Sequence, residues 1–426
     1  MLSLLGFLTI VILLVLVMSK KASPVVALIM VPVVMGLIGG FGFELVDFMT
    51  DGIKTIAPTG VMFIFAILFF GILTDAGTFK PIIDKLLGFA GNDPAKISIA
   101  ASVLAMIVHL DGSGAVTFLV TIPAFLPLYD ALNMKRANLA CIVALSAGTM
   151  NILPWGGPTI RAASALEVPV TELFNPLLVP VLVGLASVLL IAFYLGKSER
   201  KVETLSKFYT EEAITFSELE RPKLFWFNLA LILLAVGILV SGLAPPHVIF
   251  MIAFCIAITV NYPKVKEQGK RIDAHAKAAI LMASILFAAG CFTGILKGSG
   301  MISAMADSAV AYTPDWIGNH LAVITGVLSM PASLLFDPDS FYFGILPLLS
   351  STAVEFGGSG IEVGRAAIMG QMTTGFPVSP LTGATFLLIG LTGVDLADHQ
   401  RKTIPYAFLV SIIILIVSLI VGAISL

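Results

Sequence analysis

ISIAASVLAMIVHLDGSGAVTFLVTIPAFLPLY, residues 97–129, is too long an apolar run for one bilayer crossing, and the polar cluster Asp111–Gly112–Ser113–Gly114 interrupts it midway. A second run, residues 319–352, is interrupted in the same way by Asp337–Pro338–Asp339–Ser340. Irregular backbone at membrane depth is tolerated only where it lines a protein cavity, because lipid cannot satisfy bare N–H and C=O groups. Both runs therefore read as re-entrant hairpins whose tips face an interior. The composition agrees: 58% of the 426 residues are apolar and 12% are charged, against about 25% charged in soluble domains. A soluble core of this size could not hide that much apolar surface.

Simple spans read near residues 2–18, 23–42, 58–75, 137–162 and 177–196, then near 224–243, 246–262, 277–297, 366–392 and 404–425. The N-terminal run lacks a basic n-region and a small-residue cleavage site, which predicts a retained first helix. Cys141, Cys255 and Cys291 lie in apolar segments, so no disulfide framework is expected. A net charge of −2 gives no sign of a nucleic-acid partner. With ten spans and two re-entrant hairpins, twenty of the 24 Lys and Arg fall on one side, leaving Lys54, Arg161, Lys297 and Arg365. The positive-inside rule then predicts that both termini are extracytoplasmic.

The chain also repeats. At an offset of 223, Ala66, Phe69, Gly71, Ile72 and Leu73 match Ala289, Phe292, Gly294, Ile295 and Leu296. At an offset of 226, Asp111, Pro154, Gly157 and Thr159 match Asp337, Pro380, Gly383 and Thr385. Five crossings per half is an odd number, so the halves face opposite ways. The expected fold is an all-α polytopic membrane protein of two inverted repeats, each with five transmembrane helices, a re-entrant hairpin and a broken helix. Residues 1–196 form the first repeat, 197–223 a polar cytoplasmic linker, and 224–426 the second repeat. Inverted repeats with interrupted helices in matching places are a mark of secondary transporters. A nucleotide loop, a His/Glu metal constellation and a Ser/His/Asp arrangement are all missing from the sequence, which speaks against an enzyme.

The fifth span of each half is broken, by NILPWGGPT at 151–159 and GFPVSPLTGAT at 375–385. Such breaks expose backbone N–H groups at half-helix N-termini, which attract anions. Ser113, Gly114, Asn151, Gly156, Gly157, Thr159, Ser340, Ser379, Thr382, Gly383 and Thr385 supply hydroxyls, amides and close backbone approach suited to a carboxylate. One isolated break would only kink a packed helix, but four interruptions in repeat-related places predict a substrate site. Asp111, Asp337 and Asp339 at the tips hold a cation, accept a proton or cap a helix. Asp339 has no acidic counterpart in the first repeat, where Ser113 stands. Arg161 either grips the anion or snorkels to the outer surface. His109 and His320 are ordinary packing residues or proton-coupling groups.

The segments IAPTGVMFIFAILFFGILTDAG (56–77), HLDGSGAVTF (109–118), MNILPWGGPTIR (150–161), FYFGILPLLS (341–350) and LTGVDLADHQRK (391–402) resemble the bacterial citrate–divalent metal:proton symporter family, within the wider ion transporter superfamily. The likeness runs the whole length, and 150–161 is its most specific part. It implies a carrier in the bacterial inner membrane for citrate or a related di- or tricarboxylate, with Mg²⁺ or Ca²⁺ in the substrate complex, a co-transported proton and no bound cofactor. It further implies a homodimer in the lipid bilayer, in which the hairpins and the elements of 58–162 move like an elevator against scaffold spans at 2–42 and 224–262. The first tip has Ser113 where a second acid is common in that family, which leaves the metal requirement open. The alternatives are a sodium-coupled dicarboxylate carrier and a cation/proton antiporter of the same superfamily.

Overall fold

In lipid an apolar segment must satisfy its own backbone groups, which leaves the helix as its form. The computed structural model describes residues 1–19, 21–91, 93–200 and 218–425, and no strand occurs among them. Most of the expected linker, residues 201–217, lies outside the described residues, as does Lys20.

The helices come in two series. The first is α1 (Leu2–Met18), α2 (Pro24–Ile38), α3 (Glu44–Asp75), α4 (Lys80–Ala90), α5 (Pro94–Val108), α6 (Gly114–Ala131), α7 (Arg136–Met150), α8 (Gly157–Leu166), α9 (Val170–Phe174) and α10 (Leu178–Ser198). The second is α11 (Phe225–Ser241), α12 (Pro246–Asn261), α13 (Val265–Gly298), α14 (Met301–Tyr312), α15 (Asp315–Gly318), α16 (Leu321–Ala332), α17 (Leu346–Glu355), α18 (Gly360–Ile368), α19 (Gly383–Thr392) and α20 (Leu396–Ile420). Both series run through two spans, one long helix, a short helix, a hairpin, a helix broken midway and a closing span. Seven helical stretches among the described residues are long and apolar enough to cross a membrane.

The two long helices exceed the expected spans. α3 starts at Glu44 and has 32 residues; α13 starts at Val265 and has 34. At ~1.5 Å per residue each outruns a hydrocarbon core of ~30 Å, so their charged ends project beyond it. They lie antiparallel. At one end a Cβ on Gly52 would stand 2.0 Å from the Gly290 carbonyl oxygen, and one on Gly294 2.2 Å from that of Phe48. At the other end Asp75 accepts from Arg271 at 3.1 Å and bonds His275 at 3.0 Å. Repeat-related helices that pack antiparallel are consistent with inverted halves, since parallel repeats would set them side by side in one direction.

The first hairpin folds back on itself, with Ser98 bonded to Tyr129 at 2.9 Å near its mouth and His109 to Thr117 at 2.9 Å near its tip. The tip meets the first break, where Trp155 Nε1 donates to the Leu110 carbonyl at 2.8 Å. α7 runs 15 residues before that break, about 22 Å, so the contact lies well inside a hydrocarbon core of ~30 Å. The second hairpin is held to the second break: Ser333 Oγ accepts from Met372 N at 2.8 Å and donates to Gln371 Oε1 at 3.1 Å. A short π-helix, Ser340–Ile345, begins its return. Phe70 stacks on Trp155 at 5.4 Å, and Phe250 of α12 meets both rings. This aromatic group ties the first break to α3 and to the expected scaffold.

The charged ends sort themselves by contact. Asp93 caps α5 through Ala95 N and pairs with Arg200, whose guanidinium holds the Asp93 carboxyl below its usual range. Lys80 pairs with Glu220 at the same end. At the opposite end Lys297 pairs with Glu167, and Arg365 donates to the carbonyls of Glu172 and Ala423. With Lys54 on Asp51 and Arg161 on Asp339, all four exceptions to the charge bias have acceptors.

Candidate functional site

Both tips and both breaks contribute to one cavity of about 380 Å³, within the ~300–1,000 Å³ of small-molecule sites. α3 forms one wall from Phe63 to Thr74, and α13 adds His275, Ala278 and Met282. The first tip supplies Asp111, Gly112, Ser113 and Gly114, and the first break supplies Asn151, Trp155, Gly157 and Pro158. Pro338 comes from the second tip, and Met372, Phe376 and Thr382 from the second break. Arg161 completes the wall.

Local sequence fixes each group. Asp111 Oδ1 accepts from Ser113 N at 2.7 Å, and Ser113 Oγ caps α6 by accepting from Val116 N at 3.3 Å. Gly156 makes the turn into α8, since a Cβ there would stand 2.1 Å from the Asn151 carbonyl oxygen. Asn151 Nδ2 reaches the Met372 carbonyl at 2.8 Å and so bridges the two breaks. α6, α8 and α19 all begin at or beside this cavity, each after an extended cap residue (Ser113, Gly156 and Thr382). Three helix N-termini thus gather partial positive charge around the space.

Arg161 is 7% exposed, as is Asp339, and its Nε donates to Asp339 Oδ1 at 2.7 Å. Its Nη1 donates to the Gly157 carbonyl at 3.2 Å. The side chain therefore faces the cavity rather than the outer surface. A guanidinium has five N–H donors in a planar fork, and these two contacts leave it able to bind a carboxylate.

Other expected site residues have structural bonds and stay out of the cavity lining. Thr159 Oγ1 donates to Ile152 O at 2.8 Å and Thr385 Oγ1 to Phe376 O at 3.2 Å, so the repeat-related threonines staple their own breaks. Ser379 Oγ accepts from Leu381 N at 3.2 Å. Ser340 Oγ donates to Asp337 Oδ2 at 2.6 Å, and Asp337 caps the π-helix. Gly383 starts α19 with open space around its absent Cβ. His320 is exposed and bonds its own turn at the Trp316 carbonyl.

Sequence reasoning did not name Trp155, Phe376 or His275 as site residues. His275 precedes the expected span at 277–297, just as its counterpart at an offset of 223, Gly52, precedes the span at 58–75, so no signal in the sequence marks it. Among the described residues no group of three His, Cys, Asp or Glu side chains is placed to hold a metal ion.

A helical membrane bundle whose two broken helices and two hairpin tips enclose one anion-suited cavity belongs to the class of secondary transporters. The family model described as citrate transporter matches residues 13–370, and the chain belongs to that family. It is 45% identical over 429 residues to a citrate transporter of Bacillus subtilis (strain 168), covering 100% of both chains. It is 43% identical to the Mg(2+)/citrate complex secondary transporter of the same organism, covering 100% of this chain and 99% of that one. Among solved structures, the YdaH transporter of Alcanivorax borkumensis aligns with a TM-score of 0.63 at 14% identity, over 89% of this chain and 88% of that one. MtrF of Neisseria gonorrhoeae aligns with a TM-score of 0.63 at 11% identity, over 90% and 85%. These two likenesses show the fold alone. The chain is a multi-pass membrane transporter, not an enzyme.

Proposed function

We propose that the chain carries a citrate-like tricarboxylate as its complex with Mg²⁺, Ca²⁺ or a similar cation, together with protons. The observation that carries this reading is the charge around the cavity: Arg161 and Asp111 line it, and Asp339, behind the lining, already pairs with Arg161. With all three ionised, a free citrate trianion would meet a net negative site. A divalent cation in the cargo reverses that balance, and it fits Asp111, because hard cations prefer carboxylate oxygens. The cargo would supply most of the cation's ligands. The relative named for a Mg(2+)/citrate complex supports the same cargo. Arg161 inside the cavity counts against a cation/proton antiporter, which has no anion to bind.

Movement is supported by a second cavity of about 300 Å³ toward the C-terminal end of α8, lined by Thr55, Thr59 and Met62 of α3 and by Ser164 and Glu167. Thr55 and Thr59 are the repeat counterparts of Ala278 and Met282, which line the first cavity. Two cavities toward opposite ends of the α3–α13 pair support alternating access, with tips and broken helices moving as an elevator. In this reading the first cavity opens to the cytoplasm, the termini are outside, and the protein is a homodimer in a bacterial inner membrane. Uptake of labelled citrate into proteoliposomes with excess Mg²⁺ should rise with an inward proton gradient and need no sodium. Uptake that requires sodium and ignores an uncoupler would overturn the proton coupling.

A further inference from the structure

We infer that His109, with Asn151, reads the alcohol of the cargo, so that the site selects a hydroxycarboxylate and not any polycarboxylate of the same charge. The inference rests on the citrate reading above and assigns one corner of its cavity. Thr117 Oγ1 donates its single proton to the Ser113 carbonyl at 2.8 Å. The contact between that hydroxyl and His109 Nδ1 at 2.9 Å must then be donated by the ring. A neutral imidazole protonated at Nδ1 carries a lone pair at Nε2. That atom is buried and has no hydrogen-bond partner among the described residues, in a side chain 1% exposed that lines the cavity.

Asn151 lines the same cavity. Its Nδ2 gives one N–H to the Met372 carbonyl and keeps a second, and its Oδ1 is an acceptor. The corner thus sets acceptors beside one N–H, which suits an alcohol, a donor and an acceptor at once, whereas a carboxylate can only accept. Carboxylates have their donors elsewhere, on Arg161 and the helix N-termini. Mg²⁺ and Ca²⁺ prefer oxygen to imidazole, so the cation is not the partner of Nε2. An alcohol bound to that cation is acidified and becomes a better donor.

The test compares citrate with tricarballylate, which keeps the three carboxylates and replaces the hydroxyl by hydrogen. Dissociation constants are measured in excess Mg²⁺ and referred to the Mg²⁺ complex of each ligand. The wild-type protein should prefer citrate by about 10–100-fold, as expected when a buried acceptor is left unpaired by the analogue. His109→Phe should weaken citrate to the level of tricarballylate while leaving tricarballylate within about twofold, and His109→Gln, which keeps an acceptor, should restore part of the preference. Parallel weakening of both ligands in His109→Phe would mean that the ring only staples Thr117, and the inference fails. Equal wild-type affinities overturn it whether or not the variants fold. Binding of neither ligand would defeat the citrate reading, and this inference with it.

Discussion

At the first hairpin tip Asp111 gives one oxygen to the Ser113 amide and lines the cavity. At the second tip Asp337 lies outside the cavity lining and accepts from Asp339 N and Ser340 N at 3.1 Å each and from Ser340 Oγ at 2.6 Å. The carboxylate shared by the repeats therefore caps a turn in both places but lines the cavity in only one. The unshared position differs in the opposite sense. Ser113 caps α6, whereas Asp339 crosses to the other half and fixes Arg161. One tip presents a carboxylate to the cavity, and the other holds still the guanidinium that lines it.

Arg161→Gln should have the largest effect, because it removes the anion's main donor and strands Asp339. Breaking one side of a buried ion pair costs roughly 3–5 kcal/mol. Citrate affinity should fall by about a hundredfold or more with a lower unfolding temperature, both read on detergent-solubilised protein. A variant with near wild-type affinity would return Arg161 to a structural role. Asp111→Asn should be milder, weakening Mg–citrate about tenfold while metal-free citrate binds no worse, since a neutral amide is a poorer ligand for a hard cation. Asp337→Ala should leave affinity unchanged and cost about 1 kcal/mol of stability as a lost cap. Were Asp337→Ala to impair binding more than Asp111→Asn, the assignment of the tips would be reversed.

The breaks and tips were legible because lipid makes polar clusters, glycines and prolines conspicuous inside apolar runs. Their meeting was expected from the repeat offsets on the premise that the two halves pack about a pseudo-twofold axis. What each hydroxyl does was not legible: Thr159 and Thr385 match across the repeat because both close a break on a backbone carbonyl, a role no spacing distinguishes from ligand binding. The Arg161–Asp339 pair, 178 positions apart, and the Trp155–Phe70 stack are tertiary and leave no local trace. The full length of α3 was hidden because Glu44, Asp47 and Asp51 look like a loop until the helix is seen to continue beyond the hydrocarbon.

The central claim is that the cargo is a metal complex and not the free anion. Calorimetric titration of citrate into the purified protein, with excess Mg²⁺ and again with a chelator, tests it directly. We expect clear binding with Mg²⁺ and at least tenfold weaker binding in the chelator, a difference that Asp111→Asn should shrink. Equal affinity under both conditions would contradict the account and leave a carrier of free carboxylate.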